Sequence, residues 1–146
     1  MNPVGNTNDI QTELIETLKA WQKVEKDSIA MARETQRKSR NALVRLVMEI
    51  LAHDSVLHHR VQQFLLDNIE KSSLTLQPEE LDTVWEMIEK HIEFEKKILE
   101  LANKAQSATE LKVPSFLLNY LLKDEEKHDA LLERLEEIKV NMHPYA

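Results

Sequence analysis

The sequence predicts an all-α fold, a four-helix bundle, on three observations. Its one glycine is Gly5, and its four prolines, Pro3, Pro78, Pro114 and Pro144, lie outside or at the edges of the periodic stretches. Apolar residues recur in alternating steps of three and four along four segments, which is the spacing of one helix face. Each segment is about 25 to 30 residues long, more than most globular helices need and ordinary for a bundle.

The first segment starts near Thr7 or Asn8, either of which can cap a helix, and runs to about Arg37 through Leu14, Leu18, Trp21, Ser28 and Ala32. The second begins after Ser39 or Asn41 and carries Leu43, Val47, Leu51, Val61 and Leu65 until Asp67-Asn68 weakens it. Ser72 to Gln77 reads as a linker, and Pro78 with Glu79-Glu80 behind it is a helix start, since proline needs no donor there and acid suits the first turn. The third segment continues through Leu81, Val84, Ile88, Ile98 and Ala102 to about Gln106. Pro114 opens the fourth, with Leu117, Leu121, Leu131, Leu135 and Ile138, ending before Asn141. The expected organisation is a flexible leader over 1–7, a single bundle domain over 8–141 and a tail over 142–146. Trp21, Trp85 and the leucine stripes are read as core.

Composition removes several classes of function. A body without glycine from about Asn8 to Met142 has no phosphate-cradling loop and no nucleophile elbow. The absence of cysteine removes disulfides, thiolate metal sites and a cysteine nucleophile. With 26 acidic and 19 basic residues the net charge is −7, which argues against a nucleic-acid groove. No apolar run approaches the ~18 residues of a membrane span, and the first residues have neither the basic nor the apolar region of a signal peptide. A cytoplasmic, soluble protein without nucleic-acid or membrane partners is expected.

Shifting the chain by 70 residues pairs the first segment with the third and the second with the fourth, giving nine identities in the 62 pairs from Asp9/Glu79 to Glu70/Val140. Among them are Glu25/Glu95, Ala32/Ala102, Leu51/Leu121, Asp54/Asp124, His58/His128 and Leu65/Leu135, all on the apolar stripes. The chain reads as two copies of one helical hairpin.

Polar residues interrupt all four stripes at mid-length. Glu25 and Glu95 stand where the first and third segments call for apolar residues, and Asp54/His58 and Asp124/His128 do so in the second and fourth. Four carboxylates at one level repel unless a cation lies between them. Two divalent ions balance four carboxylates, with His58 and His128 as neutral terminal ligands, which is a sufficient set for a dinuclear centre. The i, i+4 spacing of each Asp/His pair places both groups on one helix face. Oxygen and nitrogen donors without sulfur suit iron or manganese, and zinc less exclusively.

On these residues the chain resembles the ferritin-like, especially the rubrerythrin-like, di-iron carboxylate superfamily over about Asn8 to Lys139. The family's pattern is a Glu on the first helix of each hairpin and Glu-x-x-His on the second. Glu25 and Glu95 match the former, and Glu125-Glu126-Lys127-His128 matches the latter. The second segment departs from it, because Ser55 stands three before His58. Two ligand sets therefore stay open. In one, Asp54 and Asp124 replace the usual glutamates symmetrically; in the other, Glu125 bridges and the second segment gives only His58. The symmetric set is preferred because it survives the 70-residue shift, with Glu125 close behind.

The resemblance implies two iron ions, with manganese or zinc as alternatives, and oxidase- or peroxidase-type oxidoreductase chemistry or metal handling. It leaves open whether the chain is an enzyme. An external electron donor is implied, since the cysteines of a rubredoxin-like module are absent. A ferritin-like crossover travels the length of the bundle, ~40 Å for ~28 helical residues, whereas Asn68 to Gln77 reaches at most ~35 Å. A simple up-down-up-down bundle, or a homodimer exchanging hairpins, is therefore also open, and a dimer is the expected assembly. The rival reading is a metal-free bundle serving as a structural or protein-interaction module. His91, one turn before Glu95, is open between a seventh ligand, a proton relay or donor to a ligand, and a space-filling histidine opposite Trp21, the last being preferred. His53, His59 and His143 receive no role.

Overall fold

The computed structural model describes residues 7–70 and 78–142. Among them the chain is all-α: α1 (Thr7–Lys38), α2 (Ala42–Glu70), α3 (Pro78–Ser107) and α4 (Lys112–Met142), with no strand. This is the four-helix, all-α class the sequence predicts. The expected linker at Ser72 to Gln77, most of the leader and the end of the tail lie outside the described residues. α1 packs on α2 and α3 on α4, and each hairpin is a compact unit by itself. None of these helices is long and apolar enough to cross a membrane.

The first hairpin turns within Ser39, Arg40 and Asn41, and local chemistry explains why it turns there. Asn41 Oδ1 accepts from the backbone N–H groups of Leu43 (3.0 Å) and Val44 (3.1 Å), an N-cap that satisfies two donors at the start of α2. Arg45 Nη1 donates to the carbonyls of Gln36 (3.1 Å) and Ser39 (3.3 Å), closing the C-terminal end of α1. Across the pair the numbering runs in opposite directions. Gln22 Nε2 donates to Gln63 Oε1 at 3.0 Å, while Lys19 meets Glu70 at 3.4 Å nearer the open end.

In the second hairpin, α4 starts two residues before the proline expected to open it. The first helical N–H groups have no intrahelical acceptor, so Pro114 is tolerated at the third position. Thr109 anchors this corner: its hydroxyl accepts from Leu111 N (3.2 Å) and its carbonyl from Ser115 Oγ (3.4 Å).

The seam of each hairpin uses only one edge of the stripe read from the sequence. In the first, Leu18, Glu25 and Ala32 of α1 are buried against Ala52, Ser55, Gln62 and Leu66 of α2. In the second, Leu81, Trp85 and Glu95 of α3 are buried, facing half-buried Leu118, Leu122, Glu125 and Leu132 of α4. Leu14, Leu51, Val61 and Leu65, placed on the same stripes, are exposed on their hairpin. A helical apolar stripe is wider than one helix–helix seam, so an edge of it turns outward. Trp85 is core, with Lys139 Nζ 4.2 Å above its ring. Trp21, expected as core, is 53% exposed because it lies on the outward edge.

Candidate metal-binding clusters

The seven-residue step that buries Leu18 and Ala32 also buries Glu25, which is only 8% exposed. Its Oε1 accepts from Trp21 Nε1 at 3.1 Å and lies 3.4 Å from His58 Nδ1 on α2, and the Ser55 hydroxyl donates to the same carboxylate. Burial alone would raise its pKa. The Ser55 hydroxyl, the His58 imidazole and the Trp21 indole outweigh burial and hold Glu25 below the ordinary carboxyl value. Asp54, the neighbour of Ser55 in the chain, is half-buried and stands one position to the side of the seam.

Seventy residues on, the same framework carries different chemistry. Glu95 of α3 is 5% exposed, and its Oε1 faces two imidazoles: Nε2 of His91 at 3.2 Å, one turn earlier, and Nδ1 of His128 on α4 at 3.7 Å. Glu125 stands where the first hairpin has Ser55, with its Oε2 3.3 Å from His128 Nδ1. Burial, and then a hydrogen bond and repulsion from the adjacent Glu95 carboxylate, raise the pKa of Glu125 despite the opposing pull of His128. Glu95 Oε2 is shut off from solvent without a hydrogen-bond partner, and Glu125 Oε2, equally shut off, has only the contact with His128. Buried carboxylate oxygens are rarely left so.

Asp124 occupies a different place from Glu125. Its Oδ2 lies 3.5 Å from Nε2 of His128, the ring nitrogen turned away from the glutamates, and its Oδ1 is 2.8 Å from Lys127 Nζ. A carboxylate on the far nitrogen is how a metal-bound imidazole is usually oriented. The geometry thus joins Glu95, Glu125 and His128 directly, with Asp124 behind the imidazole.

Among the described residues, Glu95, Glu125 and His128 are the one group of three or more carboxylate, thiolate or imidazole residues whose donor atoms all lie within 4.8 Å of one another. Metal–oxygen and metal–nitrogen bonds of ~2.0–2.2 Å place neighbouring donors roughly 3.0–3.4 Å apart, and the 3.3 Å and 3.7 Å separations to His128 need only small shifts to meet that. No known protein family, curated protein or solved structure matches the chain.

Of the seven residues singled out from the sequence, Glu25 and His58 meet on the first hairpin, and Glu95, Glu125 and His128 on the second. Of the partners of the buried glutamates, Ser55 has no role in the sequence-based expectation, and His91, open there between a ligand, a relay or donor and a space-filling residue, is found against Glu95. The signal for Ser55 was present as the mismatch three before His58, and that for His91 as its i, i+4 spacing from Glu95.

Proposed function

We propose that this chain is a ferritin-like metal-binding protein in which carboxylates and imidazoles inside helical hairpins hold iron or manganese. One observation carries the reading: the buried carboxylate of Glu95, with one oxygen left unpartnered, lies against the half-buried carboxylate of Glu125 and beside an imidazole. Burying two carboxylates together is costly unless a proton or a cation offsets their charge. A divalent cation at Glu95, Glu125 and His128 does so more completely than the single proton that raises Glu125. Glu95 and Glu125 supply charge, His128 supplies nitrogen, and Asp124, itself held by Lys127, fixes the far side of the ring. Oxygen and nitrogen donors without sulfur fit iron, manganese or zinc. The donors for the expected ions are unequal on the two hairpins, three on α3/α4 and, with Ser55 in place of a carboxylate, Glu25 and His58 on α1/α2. When occupied by iron or manganese, such a cluster supplies one-electron redox chemistry toward an oxidant, with electrons drawn from an external donor.

A metal-free interaction module is the second reading. Met87, Phe94 and Leu101, seven residues apart on α3, are 70%, 64% and 57% exposed, an apolar line suited to a protein partner or a second copy of the chain.

Elemental analysis of protein purified without added metal separates the two. The metal reading expects about one ion per chain in the wild type, and almost none in a Glu95→Ala/Glu125→Ala variant that retains its helical spectrum. A wild type below ~0.3 ions per chain, with no loss in the variant, sinks it.

A further inference from the structure

We propose that the α3/α4 hairpin holds one divalent metal ion by itself, with His91 as a fourth protein donor beside Glu95, Glu125 and His128, and that α1/α2 binds none with comparable strength. This rests on the metal-binding reading above and assigns that site its ligands and stoichiometry.

The case for His91 is geometric. Its Nε2 approaches the Glu95 oxygen that His128 Nδ1 also faces, at 3.2 Å and 3.7 Å, so two imidazoles converge on a single oxygen. His91 stands outside the group of donors that lie within 4.8 Å of one another, and a swing of its exposed ring about the Glu95 oxygen is what would bring Nε2 to the roughly 3.0–3.4 Å edges of a coordination shell with ~2.1 Å bonds. The unpartnered Oε2 of Glu95, and the Oε2 of Glu125 that faces only His128, are what the ion would engage. Two carboxylates and two imidazoles make a neutral four-donor set for a divalent cation. The 61% exposure of the His91 side chain leaves the ion a route in from solvent.

The first hairpin provides the contrast. At the position of His91 stands Trp21, and at that of Glu125 stands Ser55. An indole N–H is a donor only and cannot ligate a metal, and a neutral serine hydroxyl is a poor ligand. Both groups instead hydrogen-bond Glu25, so its carboxylate is stabilised by protein donors where Glu95 keeps an orphaned oxygen. Charge follows the same division. Residues 75–146 contain 16 acidic and nine basic side chains, whereas residues 1–74 contain ten of each. The field that attracts a cation therefore belongs to the second half of the sequence.

The test is a cobalt(II) titration of the metal-free full-length chain against a competing chelator, followed by visible absorption, with circular dichroism confirming that each variant is folded. One tight cobalt per chain is expected. His91→Ala, a substitution at an exposed helical position, should weaken that site at least tenfold and change its visible spectrum, as losing a nitrogen donor requires. Glu25→Gln should leave both unchanged. If His91→Ala moves neither affinity nor spectrum while Glu95→Ala abolishes binding, the assignment of His91 is overturned and the metal reading stands. Two equally tight ions, with one lost in Glu25→Gln, overturn the claim that one hairpin suffices. If wild-type protein binds no cobalt, the metal reading fails and this inference with it.

Discussion

Glu25 and Glu95 are the same residue type seventy positions apart, both nearly out of solvent, and satisfied in opposite ways. Hydrogen-bond donors surround Glu25 and depress its pKa, so its contribution to stability is present above the ordinary carboxyl value and is lost as pH falls through the depressed one. In a chelator, Glu25→Gln should cost about 1 kcal/mol near neutral pH, a deficit that shrinks in acid; a pH-independent deficit in urea unfolding would contradict this. Glu125 has the reverse sign. Its raised pKa means the folded chain holds the proton more tightly, so stability declines as pH rises from the ordinary carboxyl value through the raised one. Glu125→Gln should therefore gain on the wild type as metal-free protein is taken from pH ~4.5 to 7. Replacing a buried carboxylate by an apolar side chain of similar volume is often neutral or stabilising. Glu95→Leu should accordingly leave the metal-free chain at least as stable as wild type and remove metal binding, which denaturation and metal analysis check together. The glutamates and histidines were legible from helical spacing. Their partners were less so, because spacing fixes the direction of a Cβ and not which edge of a wide stripe a neighbouring helix covers, and Ser55 and His91 lie where that choice decides the chemistry.

At the level of elements, the helices were legible to within a few residues, because proline, asparagine and acidic punctuation act locally. The seams were read less well. The expected stripe of α2 passed through Leu51, His58, Val61 and Leu65, whereas the seam runs one position along, through Ala52, Ser55, Gln62 and Leu66. Small and polar residues in that seam concealed it from a hydrophobic count. Two stability effects follow. Leu66→Ala, at a side chain 3% exposed, should cost about 2–4 kcal/mol in chemical denaturation. Asn41→Ala should cost about 1 kcal/mol by removing the cap of α2. The repeat also suggests a gain of function. Trp21→His with Ser55→Glu gives the first hairpin the donors of the second, and should raise tight cobalt binding from one ion per chain to two; an unchanged stoichiometry in a folded variant would show that donor identity is not what separates the hairpins.

For the whole molecule, the all-α class was fully legible, since a chain with one glycine and no cysteine that keeps helical periodicity through four segments leaves little else to build. The charge of −7 was legible as a number, and its location adds meaning: it belongs to the half that carries Glu95, Glu125 and His128. Cation affinity should accordingly fall as salt rises from 0.02 to 0.5 M by more than a buried, uncharged site would show, because the attracting field is screened over about 10 Å at 0.1 M. The central claim, that a metal ion binds Glu95, Glu125 and His128, is tested most directly by crystals of the chain grown with manganese and measured for anomalous scattering. The expected result is a strong peak about 2.0–2.2 Å from carboxylate oxygens of Glu95 and Glu125 and from His128 Nδ1. Full-occupancy manganese elsewhere, with these three side chains ordered around no peak, would contradict it.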